Sequence, residues 1–499
     1  MGGPFERDVV VVGSGPNGLA AAWTLASAGL DVELVEGADT LGGGTRSAEL
    51  TLPGVLHDVC SAAHPLAAAA PFLAPGGGPD GTGFDLAAHG VRLLQPRVPL
   101  AHAMDGGRFA VLHRRLEDTV DDLDDLAPGD GRSWRRVVGP LVADADTLVR
   151  ALTSDLRRVP IEPRRLATLA RFGLTIAGGV PGFARRFRGP APGALLAGSA
   201  AHTALRLDGP VPSPAPAAAG MLLNVLGHAA GWPVVEGGSQ RIADAVVADL
   251  RRLGATVRTG EWVHDLRQLP RARATLLDLS PAQLDALGGD ALPPSYRRAL
   301  RRYRYGAGAS TVHLVTSEPL PWADPRAREA GTVHLGGPGA EVAAAEAAVA
   351  DGRHAAHPFV LLVQPSVVDP TRAPEGLHPV WAYCHVPAGS DVDVTDVLLR
   401  RIERYAPGAR DTVVATAVRP AARLALDNPV HVGGDVAVGE TTLRQVLARP
   451  VPRWDPYRTP LDGVWLCSSA TPPGPGVHGM CGVHAARSVL RHLAGSRRV

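Results

Sequence analysis

The sequence predicts an α/β protein of two domains, one of them assembled from separate stretches of the chain. Three observations predict this class. A β-branched run at Asp8–Val12 ends in a glycine cluster, as a strand buried in a parallel sheet does before a helix. A second α/β stretch starts near Trp232, and residues 455–499 return to a strand, a glycine loop and a helix. The length of 499 residues accommodates two or three domains of roughly 100–200 residues.

Composition and charge narrow the class of protein further. Hydrophobic residues make up 45 % and charged residues 20 %, which is ordinary for a folded globular chain. The formal net charge of +1 lacks the basic excess that nucleic-acid binding needs, so we expect no nucleic-acid partner. The sequence shows no signal peptide, and no apolar run approaches the ~20 residues of a membrane span. We therefore expect a cytoplasmic protein.

The four cysteines lie far apart in the chain, at Cys60, Cys384, Cys467 and Cys481. Their spacing matches neither a metal site nor a redox pair, and so few cysteines do not form a disulfide framework in a chain of this length. We therefore expect no metal and no disulfide-reductase chemistry.

The N-terminal stretch has the order strand, helix, strand. After the first strand, Leu19–Ala28 is alanine-rich with the apolar spacing of a helix, and Gly29 provides the C-terminal stop. Asp31–Glu36 is the next predicted strand. The stretch is therefore one βαβ unit.

A glycine fingerprint connects the first strand to its helix, and it consists of Gly13, Ser14, Gly15, Pro16, Asn17 and Gly18. Gly13 permits the tight turn, Gly15 lets the backbone approach a diphosphate, and Gly18 lets helix and strand pack closely. Amides at the helix start would face the phosphates, and the helix dipole adds a favourable field. Glu36 closes the second strand, where it can accept hydrogen bonds from a ribose diol. The pattern predicts a dinucleotide-binding Rossmann unit.

A second glycine cluster, Leu41–Arg46 (LGGGTR), follows too soon after the second strand to be an ordinary connection. Gly43, Gly44 and Thr45 would bring more backbone amides towards the diphosphate. Arg46 can neutralise part of its charge. This second cluster distinguishes FAD binding from NAD binding.

Four segments of the chain together resemble one family. They are VVVVGSGPNGLAAA, LGGGTRS, the stretch Gly231–Ser239 (GWPVVEGGS) and LCSSATPPGPGVHGM near the C-terminus. In these segments the chain is similar to the phytoene-desaturase-like flavoproteins, which are relatives of carotenoid desaturases and, more distantly, of amine oxidases. The resemblance implies an FAD-dependent oxidoreductase.

The resemblance also implies how the chain would hold FAD. The ADP half would lie on the N-terminal motif, with the backbone of Val263 against the adenine. A helix over Val477–Leu493 would cover the flavin ring with its N-terminus. The residues that would lie at the flavin are Gly476, Val477 and His478. Family members often carry an aspartate where this chain has Ser469, so a hydroxyl remains to hydrogen-bond but one charge is missing.

The domain organisation follows from the same segments. A discontinuous Rossmann-type FAD-binding domain would be built from residues 1–70, 232–308 and 455–499. A second, mixed α+β substrate domain with a helical cap would be built from residues 75–231 and 309–454. Gly306–Ser310 precedes a strand and no helix, so it fails as a second nucleotide site. Without a nicotinamide domain, oxygen or a quinone would accept the electrons.

Three histidines, His64, His228 and His478, lie where a base or a substrate-orienting group could act. His64 follows the ADP motif in the stretch that, in relatives, runs beneath the flavin towards the substrate cavity. We select His64 as the candidate catalytic residue. A structural or pocket-lining role stays open for each of the three.

The basic, apolar segment 157–188 has two interpretations. It could form a membrane-surface patch through which a lipid-soluble substrate enters, because arginine and apolar side chains favour interfaces. It could instead form a helical cap over the substrate cavity, with solvated arginines. Pro160, Pro163 and Pro181, with two glycines, interrupt any long amphipathic helix and favour the cap. The Pro–Ala repeats at Pro210–Ala219 predict a linker or an irregular loop.

Together these observations predict an enzyme in which hydride passes from a substrate C–H bond to flavin N5, while the protein fixes orientation and excludes water. The resemblance implies desaturation of a small, apolar polyene or isoprenoid, and a secondary-metabolite intermediate or an amine is a further candidate substrate. Two other classes stay open. One is a flavin-dependent isomerase that moves a double bond with no net oxidation, and the other is a non-catalytic interaction protein that FAD stabilises.

Overall fold

The computed structural model of the protein describes residues 5–77, 81–155, 162–209 and 213–496. Within these residues the strands are β1 (Arg7–Val12), β2 (Val32–Val35), β3 (Ser47–Glu49), β4 (Leu56–Asp58), β5 (Leu93–Leu94), β6 (Val98–Ala103), β7 (Phe109–Leu112), β8 (Val234–Val235), β9 (Thr256–Arg258), β10 (Ala272–Leu277), β11 (Gly308–Thr316), β12 (Ala330–Leu335), β13 (Val360–Val363), β14 (His378–Val386), β15 (Val413–Arg419) and β16 (Val464–Leu466). The α-helices are α1 (Pro16–Ser27), α2 (Pro65–Ala69), α3 (Leu116–Leu126), α4 (Asp130–Ala143), α5 (Ala145–Leu152), α6 (Pro163–Ile176), α7 (Gly179–Ala184), α8 (Ala191–Ala201), α9 (Pro214–Ala229), α10 (Gln240–Arg252), α11 (Pro281–Gly288), α12 (Pro294–Arg301), α13 (Gly339–Ala350), α14 (Thr395–Glu403), α15 (Ala409–Thr412), α16 (Ala421–Asp427), α17 (Leu443–Ala448) and α18 (Met480–Ser496).

β1 lies at the centre of a five-stranded parallel sheet with the order β16-β10-β1-β2-β9. Val9, Val10 and Val11 of β1 have no exposed surface. Their alternating side chains pack against α1, α10 and α18 on one face and against α11 and α12 on the other. Helices on both faces of a parallel sheet define an α/β fold, so the predicted class is confirmed.

The helix after the fingerprint begins at Pro16, earlier than the predicted start at Leu19. Proline is favoured at the first helical position, because its missing N–H has no partner there and its φ is already helical. Pro16, Asn17 and Gly18 therefore form the first turn of α1.

α18 crosses α1 at close range, and Gly482 makes this approach possible. A Cβ on Gly482 would overlap the carbonyl oxygen of Asn17. The prediction that this helix begins at Val477 is wrong, since α18 begins at Met480. Gly476 and Gly479 have φ values of +134° and +69°, which keep the preceding residues out of the helix.

The second sheet has seven strands in the order β15-β11-β14-β13-β12-β6-β7. β12 and β6 run parallel, and every other neighbouring pair is antiparallel. One face packs against α14 and α15. The other face packs against the helices of the 116–229 stretch. This mixed sheet with helices is the second, mixed α+β unit that the sequence predicts.

Helices α3–α9 form a layer over the second sheet. The linker predicted at Pro210–Ala219 is wrong where the structure describes it, because α9 begins at Pro214. Pro214 and Pro216 lie in the first turn, where an α-helix needs no backbone donor. Residues 210–212 of that stretch, like residues 157–161 of the basic segment, lie outside the described residues.

The described part of the basic segment forms α6 and α7, with Gly178 between them. β5 pairs with β8 and so joins a stretch of the predicted substrate domain to a stretch of the predicted FAD domain. The exact domain limits stay a prediction. Across the described ranges, no helix is long and apolar enough to cross a membrane.

Candidate functional site

A cavity of about 1000 Å³ connects the two sheets. We call one part of it the cofactor half, and its wall consists of residues 12–17, 36, 37, 43, 44, 46, 261–264, 278, 279, 283, 286, 287, 468, 469, 473 and 475–477. We call the part walled by α6, α9 and strands β11–β14, with His202, Thr203 and Trp232, the substrate half. The glycine motifs at the carboxyl ends of β1 and β2 therefore open into the same space as one face of the second sheet.

The fingerprint glycines lie where the sequence predicts a tight strand-to-helix turn. Gly13 has a φ of +96°, a conformation that side chains other than glycine rarely adopt. A Cβ on Gly18 would overlap the carbonyl oxygen of Gly13, so Gly18 permits the close approach of α1 to β1. Gly13 and Gly15 line the cavity with Pro16 and Asn17, whereas Gly18 lies behind the wall.

Asp278 follows β10 and lies against this turn, a placement that sequence reasoning missed. Its Oδ2 accepts a hydrogen bond from the Gly18 amide at 2.9 Å. Burial raises the pKa of Asp278 to about 7, and the nearby Glu36 carboxylate also raises it, while the Gly18 and Gly15 amides oppose the shift. A carboxyl group with a pKa of about 7 is partly protonated at neutral pH. Protonation removes a negative charge from the start of α1, where the helix dipole favours an anion.

Glu36 links the two glycine motifs. Its Oε2 accepts hydrogen bonds from the Ser14 amide at 2.8 Å and the Ser14 hydroxyl at 2.6 Å. Its Oε1 accepts from the Ala38 amide at 2.9 Å. Ser14 Oγ in turn accepts from the Gly42 amide at 3.1 Å. Because a carboxylate offers about four lone-pair sites, Glu36 retains acceptor capacity on the cavity wall for a ribose diol.

Three residues of the second glycine cluster lie on the cavity wall, and Thr45 lies behind it. Gly43, Gly44 and Arg46 line the cavity. Thr45 is buried behind the wall, and its hydroxyl donates to the Gly42 carbonyl at 2.8 Å. The Thr45 amide donates to the same carbonyl at 3.0 Å. Thr45 therefore stabilises the turn, contrary to the expectation that its amide would face the diphosphate.

Val263 lines the cofactor half beside Trp262. The Trp262 indole lies over Gly37, where a Cβ would overlap the ring, and half of the residue's surface is exposed (50 %). An aromatic ring beside the predicted adenine position offers a stacking surface. Val263 was predictable from the family resemblance, whereas the position of Trp262 was not.

The C-terminal loop closes the cofactor half. Ser469, Gly476 and Val477 line the cavity. Asn17 Nδ2 donates to Ser469 Oγ at 3.1 Å and so joins the fingerprint to the C-terminal loop.

His478 does not line the cavity, contrary to its expected role at the flavin. Its Nδ1 accepts from the Met480 amide at 3.0 Å, which caps the first turn of α18. Burial lowers the pKa of His478 to about 4. His478 is therefore a structural histidine of the helix start.

His64 lies on the cavity wall with a defined tautomer. The Ser239 hydroxyl donates to the Ser61 carbonyl at 2.7 Å, so it accepts from His64 Nε2, which lies 2.7 Å away. The Nδ1 lone pair of His64 then has no hydrogen-bond partner among the described residues. Burial lowers the pKa of His64 to about 4, Arg372 lowers it further, and Asp58 opposes the shift.

A buried ion network positions Ser239, the hydrogen-bond partner of His64. Arg372 Nη1 lies 3.0 Å from Asp58 Oδ2, and neither side chain is exposed. Asp58 Oδ1 accepts from the Ser239 amide at 2.8 Å. His228, the third candidate, does not line the cavity, and its Nε2 accepts from the Trp134 indole at 3.3 Å.

The substrate half is apolar and aromatic. The side chains that line it from α6, α9 and the sheet are Phe172, Ile176, Ala215, Ala218, Ala219, Leu222, Leu223, Ala309, Thr311, Thr332, Leu361, Val363, Trp381 and Tyr383. On the described wall of the whole cavity the charged side chains are those of Glu36, Arg46, Glu261, Asp278 and Asp427, none of them in the substrate half.

Comparison with known proteins agrees with this architecture. Residues 11–71 match a family described as an NAD(P)-binding Rossmann-like domain. Pyridine nucleotide-disulfide oxidoreductase domain-containing protein 2 of Mus musculus is 25 % identical, with 98 % of this chain and 94 % of that protein covered.

Two solved structures share the fold. An oxidoreductase from Methanosarcina mazei superposes with a TM-score of 0.60 at 16 % identity, with 97 % of this chain and 100 % of that chain covered. Cyclohexylamine oxidase from Brevibacterium oxydans superposes with a TM-score of 0.58 at 14 % identity, with 98 % and 100 % covered. The chain therefore has the α/β fold of these oxidoreductases, with a Rossmann-like dinucleotide-binding segment.

Proposed function

We propose that the protein is an FAD-dependent oxidoreductase, similar to phytoene dehydrogenases, that desaturates a neutral, largely apolar substrate. The observation that carries the proposal is the cavity itself. Two glycine motifs and the C-terminal loop wall one half, and an uncharged sheet face walls the other. A cofactor held in the first half and a substrate held in the second would share one cavity.

The residues of the cofactor half fit FAD. A Cβ on Gly44 would meet no atom within 4 Å, so the wall at this point is open space. The start of α1 supplies the positive end of the helix dipole for a diphosphate, and Arg46 supplies a positive charge. The residues that would hold the cofactor are Gly13, Gly15, Pro16, Asn17, Glu36, Gly43, Gly44, Arg46, Val263, Ser469, Gly476 and Val477.

FAD would supply the two-electron acceptor for a substrate hydride. Desaturation also releases a proton from the neighbouring carbon. His64 lines the cavity with a neutral imidazole, but its unprotonated Nδ1 is enclosed by protein and burial lowers its pKa to about 4. We therefore assign His64 to the cavity wall, and this proton would pass to the reduced cofactor. The apolar wall of the substrate half excludes water and orients the C–H bond.

Absence of charge in the substrate half favours a neutral substrate over an amine. An ammonium group in an apolar site needs a paired carboxylate to offset its desolvation. The described wall of the substrate half offers none. An apolar polyene, isoprenoid or secondary-metabolite intermediate needs no such partner, and oxygen or a quinone would reoxidise the cofactor.

Thiol-disulfide chemistry has no support in the structure. All four cysteines are free. Burial raises the pKa of Cys60 to about 11 and the pKa values of Cys384 and Cys481 to about 12. Burial also raises the pKa of Cys467 well above its ordinary range. Thiols of this kind are poor nucleophiles at neutral pH.

Anaerobic titration of the FAD-loaded protein tests the proposal. Isoprenoid polyenes and primary amines of similar length are added separately, and the flavin absorbance is followed. We expect bleaching by an apolar donor, with a product that lacks two hydrogens. A product of unchanged mass would indicate an isomerase, bleaching by amines alone would overturn the apolar assignment, and an unreactive flavin would indicate a non-catalytic protein.

A further inference from the structure

His202 is a polar group on the apolar wall of the substrate half. A second histidine, which does not line the cavity, forms a hydrogen bond with it. It follows the C-terminus of α8, and its Nε2 lies 3.0 Å from His334 Nε2. His334 is fully buried in β12 and contacts the Trp232 ring edge-on, with 5.8 Å between centroids. One nitrogen of the His202–His334 pair must donate and the other must accept.

Packing around His334 decides which nitrogen donates. His334 Nδ1 is buried without a hydrogen-bond partner among the described residues. It lies against Gly198, where a Cβ would come within 2.6 Å of it. A buried N–H without an acceptor is rare, whereas a bare ring nitrogen tolerates a weak contact with a Cα–H. The proton of His334 therefore lies on Nε2, which donates to His202 Nε2.

The neighbouring His102 does not change this assignment. Its Nε2 donates to the Gly337 carbonyl at 2.8 Å, so its Nδ1 is unprotonated and also faces Gly198. Burial lowers the pKa of His102 to about 4 and that of His334 well below its ordinary value. Among the described residues, no group of three or more His, Cys, Asp or Glu side chains is arranged to hold a metal ion.

His202 is therefore a neutral ring that accepts at Nε2 and carries its proton on Nδ1. Burial lowers its pKa to about 3, with a contribution from the nearby His385. Nδ1 of His202 forms no hydrogen bond with the described residues, and it is not enclosed as Nδ1 of His102 and His334 are. Because His202 lines the cavity, this N–H is a donor that faces the substrate half.

We propose that His202 Nδ1–H donates a hydrogen bond to a substrate oxygen, so that the substrate is a neutral, apolar molecule with a carbonyl or hydroxyl group. This inference rests on the proposed function and narrows its substrate class from neutral, largely apolar molecules to those that carry an oxygen atom. A carboxylate substrate does not fit, because the described wall of the substrate half has no cation. His334 is a positioning residue that acts through His202.

Matched ligand pairs test the donor role in the FAD-loaded protein. Equilibrium dialysis gives the dissociation constants of cyclododecanone and cyclododecane, menthone and menthane, and carvone and limonene. We expect at least one ketone to bind about fivefold to tenfold more tightly than its hydrocarbon, as one net hydrogen bond would provide. His202→Phe removes this preference, and His357→Phe, which replaces an exposed histidine, retains it.

Imidazole nitrogen NMR tests the tautomer without any ligand. With His202→Phe as the assignment control, we expect a protonated Nδ1 and an unprotonated Nε2 for His202. His334→Phe should allow the proton of His202 to occupy Nε2 as well as Nδ1 and should weaken ketone binding. His334→Gln, whose amide can donate in place of Nε2–H, should restore both the Nδ1–H tautomer of His202 and ketone binding.

The outcomes separate this inference from the function on which it rests. A protein that binds FAD but shows no ketone preference, or in which His202 carries its proton on Nε2, contradicts the role of His202 alone. A protein that does not bind FAD contradicts the proposed function.

Discussion

A substitution at the single residue Gly44 should change cofactor binding without changing the stability of the fold. A side chain at this position would enter open space on the wall of the cofactor half and would meet no protein atom within 4 Å. We expect Gly44→Leu to weaken FAD binding by at least about tenfold and to change the free energy of unfolding by at most ~0.5 kcal/mol. Flavin fluorescence titration and urea denaturation measure the two quantities.

Gly173→Leu is the matched control for this substitution. Gly173 also has no atom within 4 Å of a Cβ, but it lies on the exposed face of α6. FAD binding should be unchanged there. Equal FAD affinity in the Gly44 and Gly173 variants would contradict the placement of the cofactor.

Asp278 makes a pH-dependent contribution to the free energy of unfolding, and Asp278→Asn removes this contribution. Burial raises the pKa of Asp278 from 3.8 to about 7 in the folded protein. Its contribution to stability is therefore complete below about pH 4 and is lost as the pH rises through about 7. We expect the free energy of unfolding of the wild type to fall relative to Asp278→Asn over this window, by at most ~1.4 kcal/mol per pH unit.

Urea denaturation of both proteins at several pH values measures this difference. The buried histidines titrate in both, so the comparison cancels their opposite trend, in which stability is lost as the pH falls. Parallel stability curves would show that Asp278 does not hold a proton in the folded state.

Single residues also show what the sequence could and could not predict. Gly13, Gly18 and Glu36 were predictable, because the fingerprint specifies local geometry through nearby residues. Asp278 was not, since its role arises only when β10 inserts beside β1. His202 was not either, because its partner His334 is distant in the chain.

At the scale of an element, two substitutions in α18 test whether this helix crosses α1 at close range. Gly482 faces Asn17 of α1, and Gly495 lies near the exposed end of the same helix with no atom close to its Cβ position. We expect Gly482→Ala to destabilise the protein by about 1–3 kcal/mol through overpacking and to weaken FAD binding. Gly495→Ala should leave stability unchanged or raise it by at most about 1 kcal/mol, because alanine favours helix. Similar melting temperatures for the two variants would contradict the close helix crossing.

Element limits were harder to predict than element types. The strands of the parallel sheet follow from β-branched runs, which depend on local sequence. The start of α18 depends on glycines with positive φ before Met480, and composition alone does not reveal which glycines adopt it. The Pro–Ala stretch became the start of α9, because the cap helices bury its apolar side chains.

At the scale of the whole molecule, the cavity combines residues from most of the chain. The glycine motifs of the cofactor half were predictable, since each motif is contiguous in sequence, whereas Trp262 and Asp278 were not. The substrate half was not, because it is one face of a mixed sheet whose strand order β15-β11-β14-β13-β12-β6-β7 differs from chain order. Alternation along β14 places Trp381 and Tyr383 on that face together.

Identification of the bound dinucleotide shows whether the protein is an FAD enzyme. The purified protein is examined by visible spectroscopy and then denatured, and the released cofactor is identified by mass. We expect a yellow protein that releases FAD. A colourless protein that takes up no added FAD, or one that releases a nicotinamide dinucleotide, would contradict the account.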